Sequence, residues 1–178
     1  MKIYQTKQLK SSFVIVCPDN SLSLLKNTAN SIKAKYSDIP FICVANGSAT
    51  PEELAEMKLV CPAYKGKTTI SSLINVGMRH APAEWVFIVF AGSNVPQKLD
   101  AKFSFFINSD KDILFPVVHR KTNFIDGTWN GLYLNKKIFK DIGEFLEIGE
   151  LDEVKCDWAG RALEKGCRFK AIVGNKVC

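Results

Sequence analysis

Short, uninterrupted runs of apolar residues recur along the chain, and polar turns separate them. Such runs are typical of strands buried on both faces of a parallel sheet. The predicted strands are 13–17, 41–44, 58–61, 85–90, 113–118, 131–135 and 169–173. Pro116 cannot donate to a strand ladder, so the pattern predicts an edge or bulged strand at 113–118.

Between these runs, apolar residues recur at spacings of three and four, as on one face of an α-helix. In the first such stretch Asn20 or Ser21 is a suitable N-cap. The predicted helices are 21–36, 51–57, 68–81, 136–142 and 151–165. Strands that alternate with helices predict a three-layer α/β sandwich with a Rossmann-like, mainly parallel central sheet. Because the sequence shows no repeat or linker, we expect one domain over 1–178.

The composition is that of a globular protein from a reducing compartment. Apolar residues make up 47% of the chain, and no apolar run is long enough to span a membrane. Residues 1–11 are polar and lack a secretory apolar segment. No pair of the six cysteines has C-x-x-C spacing, so we expect no zinc site and reduced, buried thiols at Cys17, Cys43 and Cys61. These features predict a soluble, cytoplasmic protein.

The net charge of +6 is compatible with an anionic partner, which could be a nucleotide diphosphate, a phospholipid or a nucleic acid. Lysines scattered over a solvated surface would give the same charge. A nucleic-acid-binding domain would show a basic stripe interleaved with aromatic residues, and the sequence has none. We therefore expect no nucleic-acid partner.

Ligands of parallel α/β sheets bind beyond the carboxyl ends of the strands. Here that rule selects the loops 18–20, 45–48 and 91–94. The third loop follows the apolar strand WVFIVF and reads Ala91, Gly92, Ser93, Asn94, so it is placed like a binding loop and carries no charge.

Several segments match, in order, the motifs of one enzyme family. FVIVCPDN has an apolar strand with a P-x-N ending, ICVANGS a second strand ending in N-G-S, and LINVGMRHAPAEWVFIVF an N-x-G-x-x-x-A helix before a central strand. Arg161 and Gly166 complete a late R-x-x-x-x-G segment. Over roughly residues 12–172 the chain resembles the GT-A fold of family-2-type glycosyltransferases. The resemblance implies transfer of a sugar from a nucleotide-diphospho-sugar to a glycan or other hydroxyl acceptor.

The resemblance also implies where the donor binds. The family's uridine-contacting aspartate falls at Ala45, and its D-x-D metal motif falls at Ala91-Gly92-Ser93. Asn75 corresponds to the asparagine of the family's helix motif and is expected to bind backbone near the nucleotide loop. The implied donor-binding residues are Pro18, Asn20, Asn46, Gly47, Ser48, Asn75, Ala91, Gly92, Ser93 and Asn94.

Sugar transfer leaves growing negative charge on the departing diphosphate, which a metal or fixed cations must stabilise. Hard cations prefer carboxylate oxygens, and Ser93 and Asn94 are neutral. The pattern therefore disfavours a Mn²⁺ or Mg²⁺ site, which would depend on Asp19 or His119. Cations are the alternative, and Lys65 and Lys67 stand before a predicted helix N-terminus that suits phosphate. Further candidate cations are Arg79, Arg120 and Lys121.

An inverting transferase also needs a base for the acceptor hydroxyl. Asp157 matches an acidic position of the family's E-D-x-D motif, whose E-D pair falls at Val154-Lys155, and Glu153 lies one helical turn earlier. An ion pair of Asp157 with Arg161 is the competing interpretation. Trp129, in a turn-rich stretch, is the candidate acceptor-binding residue.

Two functional hypotheses follow. The chain is either a glycosyltransferase with a metal-independent donor site, or a degenerate GT-A domain that binds a nucleotide, glycan or protein without catalysis. The first rests on the resemblance along the chain and the second on the missing carboxylates.

Overall fold

A computed structural model describes residues 10–18, 21–45, 59–60, 69–97, 103, 105–117, 130–147 and 151–173. The strands are β1 Ser11–Cys17, β2 Phe41–Ala45, β3 Leu59–Val60, β4 Trp85–Phe90, β5 Asp112–Val117, β6 Leu132–Asn135 and β7 Arg168–Val173. The helices are α1 Leu22–Lys35, α2 Ile70–His80, α3 Lys136–Ile142 and α4 Leu151–Glu164. The predicted helix 51–57 lies outside the described residues.

The seven strands form one sheet in the order β3-β2-β1-β4-β6-β5-β7. Every neighbouring pair is parallel except the two that involve β6. The mainly parallel α/β architecture predicted from the sequence is therefore confirmed.

The predicted edge position of the strand with Pro116 is wrong, because β5 lies between β6 and β7. Among the described residues, β5 and β6 pair at Leu114↔Tyr133, two positions before the proline. Pro116 itself is in register with Ile172 of β7. The proline is therefore accommodated in an internal strand, and the bulge that the sequence offers as the alternative stays a prediction.

Apolar layers cover both faces of the sheet. On one face Val86 and Ile88 of β4 pack with residues of α2, α3 and α4. On the other face Phe87 packs with residues of α1 and with Val95 and Phe103, which lie between β4 and β5. The ring of Phe87 stacks on that of Tyr133 with centroids 3.9 Å apart. Val95 and Phe103 thus bring part of the connection from β4 to β5 into the core beside α1.

Helix α2 packs closely against β1 because Gly77 has no side chain. A Cβ atom at this position would lie 2.2 Å from Cγ1 of Val14. Thr69 caps the helix, and its Oγ1 accepts a bond from the Ser72 backbone N–H while the Ser72 hydroxyl bonds back. The sequence analysis did not identify this capping box. Within the described ranges, no helix is both long and apolar enough to cross a bilayer.

Candidate functional site

Strands β1, β2 and β4 end side by side at one edge of the sheet. Cys17 is in register with Ala45, and Val16 with Phe90. Because these strands are parallel, the loops that follow them start at neighbouring points, as the sequence predicts. Pro18 and the loop 91–94 are described there; the other predicted donor residues at this edge, Asn20, Asn46, Gly47, Ser48, Lys65 and Lys67, lie outside the described residues.

Backbone bonds hold the loop after β4 against its neighbours. The Ala91 N–H donates to the carbonyl of Val16 at 2.8 Å and so extends the β1–β4 ladder. Gly92 has a φ of +87°, a conformation that favours glycine, and its N–H donates to Oγ1 of Thr28 on α1 at 2.9 Å. The loop is therefore fixed both to the sheet and to α1.

The two polar side chains of this loop already have protein partners. Ser93 is 8% exposed, and its Oγ accepts a bond from Nδ2 of Asn130 at 2.8 Å. Oδ1 of Asn130 in turn accepts from the Phe90 N–H at 3.0 Å. The Oδ1 atom of Asn94 accepts from Nζ of Lys35 at 2.9 Å. The same ammonium group donates to the Val95 carbonyl at 2.8 Å, and so binds the loop at two oxygens.

This arrangement does not fit a divalent metal ion at the loop. Mn²⁺ and Mg²⁺ prefer carboxylate oxygens, whereas Ser93 and Asn94 offer one neutral oxygen each, already used by an N–H donor. The ammonium of Lys35, bonded to Asn94, would also repel a cation placed there. Across the described ranges no three His, Cys, Asp or Glu residues are grouped so that they could hold a metal.

Asn75 lies fully buried on α2 and binds backbone, although at a different place from the one expected. Its Oδ1 accepts from the Phe145 N–H at 3.0 Å, and its Nδ2 donates to the Phe145 carbonyl at 2.9 Å. Nδ2 also reaches Oε1 of Glu147 at 3.2 Å. The side chain therefore fixes the segment that leads towards α4, rather than the loop 91–94.

Asp157 forms an ion pair with Arg161, which is the alternative that the sequence offers to a role as a base. Two guanidinium nitrogens of Arg161, Nε and NH2, donate to Oδ2 of Asp157 at 3.0 and 2.7 Å. The same guanidinium donates to the carbonyls of Ile142 and Glu144 at 2.7 and 2.9 Å. Asp157 thus orients the arginine that ties α4 to the end of α3. Its predicted role as a base remains a prediction, as does that of Glu153, which is exposed on the preceding turn.

Trp158 is fully buried in the core, and its Nε1–H donates to the Gly143 carbonyl at 3.0 Å. Trp129, the predicted acceptor-binding residue, lies outside the described residues.

Arg79 is a candidate cation for the leaving diphosphate in the sequence, and its predicted position near that group is wrong. It lies in the last turn of α2, which leads into the amino end of β4, opposite to the edge where Ala91 begins. Its NH1 pairs with Oε1 of Glu144 at 2.5 Å. A cavity of about 230 Å³ lies beside this pair and is lined by Lys136 and Phe139 among others.

Burial disfavours the thiolate form of two described cysteines, Cys43 and Cys167. Cys17, Cys43 and Cys167 are buried and unbridged, as predicted for the first two. Burial raises the pKa of Cys43 to about 12 and also raises the pKa of Cys167. Both groups therefore remain thiols at neutral pH, which makes them poor nucleophiles.

Comparison with known proteins supports the fold. No protein-family model matches the sequence, and no curated protein matches it. The structure resembles that of the mannosyltransferase PcManGT from Pyrobaculum calidifontis, solved in complex with GDP-Man and Mn²⁺, with a TM-score of 0.68 and 17% sequence identity. The match covers 96% of this chain and 56% of that chain. The chain has a Rossmann-like glycosyltransferase fold.

Sequence reasoning missed three side chains that build the loop after β4. Thr28, Lys35 and Asn130 all bond to it, from positions far away in the sequence. Thr28 and Lys35 look like ordinary residues of an amphipathic helix. Asn130 had a weak signal, since it precedes Gly131 in a turn before a strand, where asparagine is common.

Proposed function

We propose that the chain is a glycosyltransferase domain of the GT-A type that binds a nucleotide-diphospho-sugar beyond the carboxyl ends of β1, β2 and β4. The sugar is transferred to a hydroxyl group of a glycan or another acceptor. The observation that carries the proposal is the likeness over 96% of this chain to a mannosyltransferase bound to GDP-Man. The aligned exits of the three strands support the same location, because nucleotides bind at this edge in such sheets.

Donor binding in this proposal needs no divalent cation. Ala91, Gly92 and Ser93 form a wall that is held by Val16, Thr28 and Asn130, whereas Asn94 is bonded to the last residue of α1, towards the amino ends of the strands. Lys65 and Lys67 supply the positive charge for the leaving diphosphate, a role open to fixed lysines and helix N-termini. In this proposal the two lysines take the role that a metal ion bound by loop carboxylates would otherwise have.

Asp157 is the proposed base for the acceptor hydroxyl, and its pairing with Arg161 makes the test specific. Replacing Asp157 by Asn keeps an oxygen acceptor for the guanidinium but removes the basic group. If Asp157 is the base, D157N lowers kcat by about 100-fold or more while the free energy of unfolding changes little. A variant that loses stability with its activity per folded molecule intact would assign Asp157 to the ion pair alone. E153Q tests Glu153 in the same assay.

A second candidate function is binding without catalysis, with a nucleotide, glycan or protein as the partner. Two observations favour it: the loop 91–94 has no carboxylate, and the carboxylate of Asp157 is bonded to Arg161. Such a domain would keep the nucleotide cleft and lack turnover.

Calorimetry with UDP-, GDP- and CMP-sugars, each with and without Mn²⁺, separates these functions. We expect one nucleotide class to bind equally well in the absence of metal. Binding that requires Mn²⁺ would contradict metal independence, and the absence of any binding would overturn the transferase proposal. Binding with no sugar transfer to any acceptor of a panel would favour the second function, which is binding without catalysis. S93D is the matched variant, because an added carboxylate in the loop should raise Mn²⁺ affinity.

A further inference from the structure

Two aromatic side chains stand exposed side by side between β4 and β5. Phe105 is 73% exposed and Phe106 39%, and their rings form an edge-to-face pair with centroids 5.5 Å apart. The other large apolar side chains exposed within the described ranges, Leu24, Leu146 and Leu163, are isolated in sequence. Single exposed apolar residues are ordinary, whereas a contiguous apolar patch marks an interaction surface.

The segment that carries these rings is fixed to the core rather than loosely attached. Phe103, two residues earlier, is fully buried and packs edge-on against Phe87 and Tyr133. Nζ of Lys170 donates to the carbonyl of Phe106 at 2.8 Å. The rings are therefore held outwards by a rigid base, and ordering them for binding requires little further loss of entropy.

A buried carboxylate completes that base. Asp112 is 0% exposed, and its Oδ2 accepts the N–H groups of Asn108 and Ser109 at 2.7 and 2.9 Å. Arg168 donates to its Oδ1 at 2.9 Å, and Lys170 to its Oδ2 at 2.8 Å. The turn of residues 105–112 is thus anchored at both ends of its length.

Among the described residues, three cations and two carboxylates belong to this turn or bond to it, so its local net charge is positive. Lys111 belongs to the turn and donates to the Lys165 carbonyl at 2.9 Å, while Arg168 and Lys170 bond to the turn from β7. The Arg168 side chain is 55% exposed. Asp110 is the exposed carboxylate of the same turn, and Asp112 is buried under its two cations. The chain as a whole has a net charge of +6.

We propose that the Phe105–Phe106 pair, flanked by Lys111 and by the β7 cations Arg168 and Lys170, is a docking surface for an anionic phospholipid bilayer. Aromatic rings suit the interface between headgroups and acyl chains, and neighbouring Lys and Arg side chains bind anionic headgroups. The turn lies at the amino ends of β5 and β7, opposite to the edge where the loop 91–94 begins. Docking through it leaves the proposed donor site facing away from the membrane.

Co-sedimentation with vesicles tests the surface without any assay of sugar transfer. Wild type should bind vesicles of mixed phosphatidylcholine and phosphatidylglycerol, bind pure phosphatidylcholine vesicles more weakly, and be released by salt. The double variant F105A/F106A should partition at least about tenfold more weakly, because two apolar rings no longer enter the interface. L146A, which removes another exposed apolar side chain, is the matched control and should bind like wild type.

A fluorescent variant gives an independent measurement. F105W should show a blue-shifted emission on adding anionic vesicles and quenching by brominated lipid, whereas L146W should show neither. Equal binding by F105A/F106A and wild type would overturn the proposal, as would wild type that fails to bind anionic vesicles. A concentration-dependent dimer that F105A/F106A converts to monomer would instead assign the rings to a second copy of the chain. None of these outcomes depends on whether the chain binds a nucleotide sugar.

Discussion

The two ends of the connection between β4 and β5 are fixed by opposite kinds of chemistry. Where the chain leaves β4, neutral groups hold Gly92 and Ser93, and the ammonium of Lys35 bonds to Asn94. Where the chain enters β5, a buried carboxylate, Asp112, gathers a guanidinium, an ammonium and two backbone N–H groups. At both ends a side-chain oxygen accepts backbone N–H groups of the connection, close to the end of a strand.

The comparison shows that density of charge does not by itself locate function. A search for clustered ionisable groups would select Asp112, which lies at the amino ends of β5 and β7 and has its charge matched by Arg168 and Lys170 of β7. The edge where nucleotides bind in such sheets instead has the neutral loop. Matched buried charge stabilises a turn, whereas a binding loop must keep its exposed surface available for a ligand.

The largest expected effect comes from removing the carboxylate at the β5 end. D112A leaves Arg168 and Lys170 without their shared partner and two backbone N–H groups without an acceptor. We expect a loss of about 3 kcal/mol in the free energy of unfolding, the scale found when one member of a buried ion pair is removed. Urea denaturation measures it. D110A, on the exposed side of the same turn, is the control and should change stability by less than about 0.5 kcal/mol.

The same carboxylate predicts a pH dependence. Burial alone would raise the pKa of Asp112, but the bonds from two cations and two N–H groups outweigh it and hold the pKa below 3.8. Stability from a group with a lowered folded-state pKa is complete above the unfolded-state pKa and is lost as the pH falls through the folded value. The stability difference between wild type and D112A should therefore be constant near neutral pH and shrink below about pH 4. A difference that stays constant down to pH 2 or so would refute this.

Local patterns predicted most of the secondary structure. The apolar run 85–90 is β4 without change, and the predicted helix 136–142 is α3. Strand order was less accessible, because it depends on pairing between distant segments. The wrong edge position of the strand with Pro116 shows this: the missing donor is a local fact, but the place of β5 between β6 and β7 depends on distant segments.

The candidate site divides in the same way. The convergence of three strand exits followed from the rule for parallel sheets, and the register of Cys17 with Ala45 agrees with it. The partners of Ser93 and Asn94 did not follow, since Asn130 and Lys35 are 37 and 59 positions away in sequence. Only folding brings such pairs together, and neutral hydrogen bonds leave no charge pattern that could reveal them.

The next largest effect on the free energy of unfolding should come from the end of the connection that follows β4. Asn130 bridges the Phe90 N–H and the Ser93 hydroxyl, so N130A leaves a backbone donor and a nearly buried hydroxyl without this partner. We expect a loss of about 1.5 kcal/mol in the free energy of unfolding, half of that for D112A, because both lost bonds are neutral. Urea denaturation of both variants in one buffer gives the ratio. If N130A costs as much as D112A, the proposed contrast between a neutral and a charged anchor fails.

The smallest effect should come from Lys35, where the neutral loop meets its cation. K35M removes bonds to Asn94 Oδ1 and to the Val95 carbonyl but keeps the apolar stem, so a loss of about 0.5 to 1 kcal/mol is expected. K137M, which removes an exposed lysine at the start of α3, is the control. A double-mutant cycle with N94A should give a coupling energy of about 0.5 kcal/mol, since only one of the two bonds involves the asparagine side chain. Zero coupling would mean that Lys35 acts through the backbone alone. In that case the oxygen of Asn94 would be open to a ligand, and only the lack of carboxylate oxygens in the loop would disfavour a metal ion there.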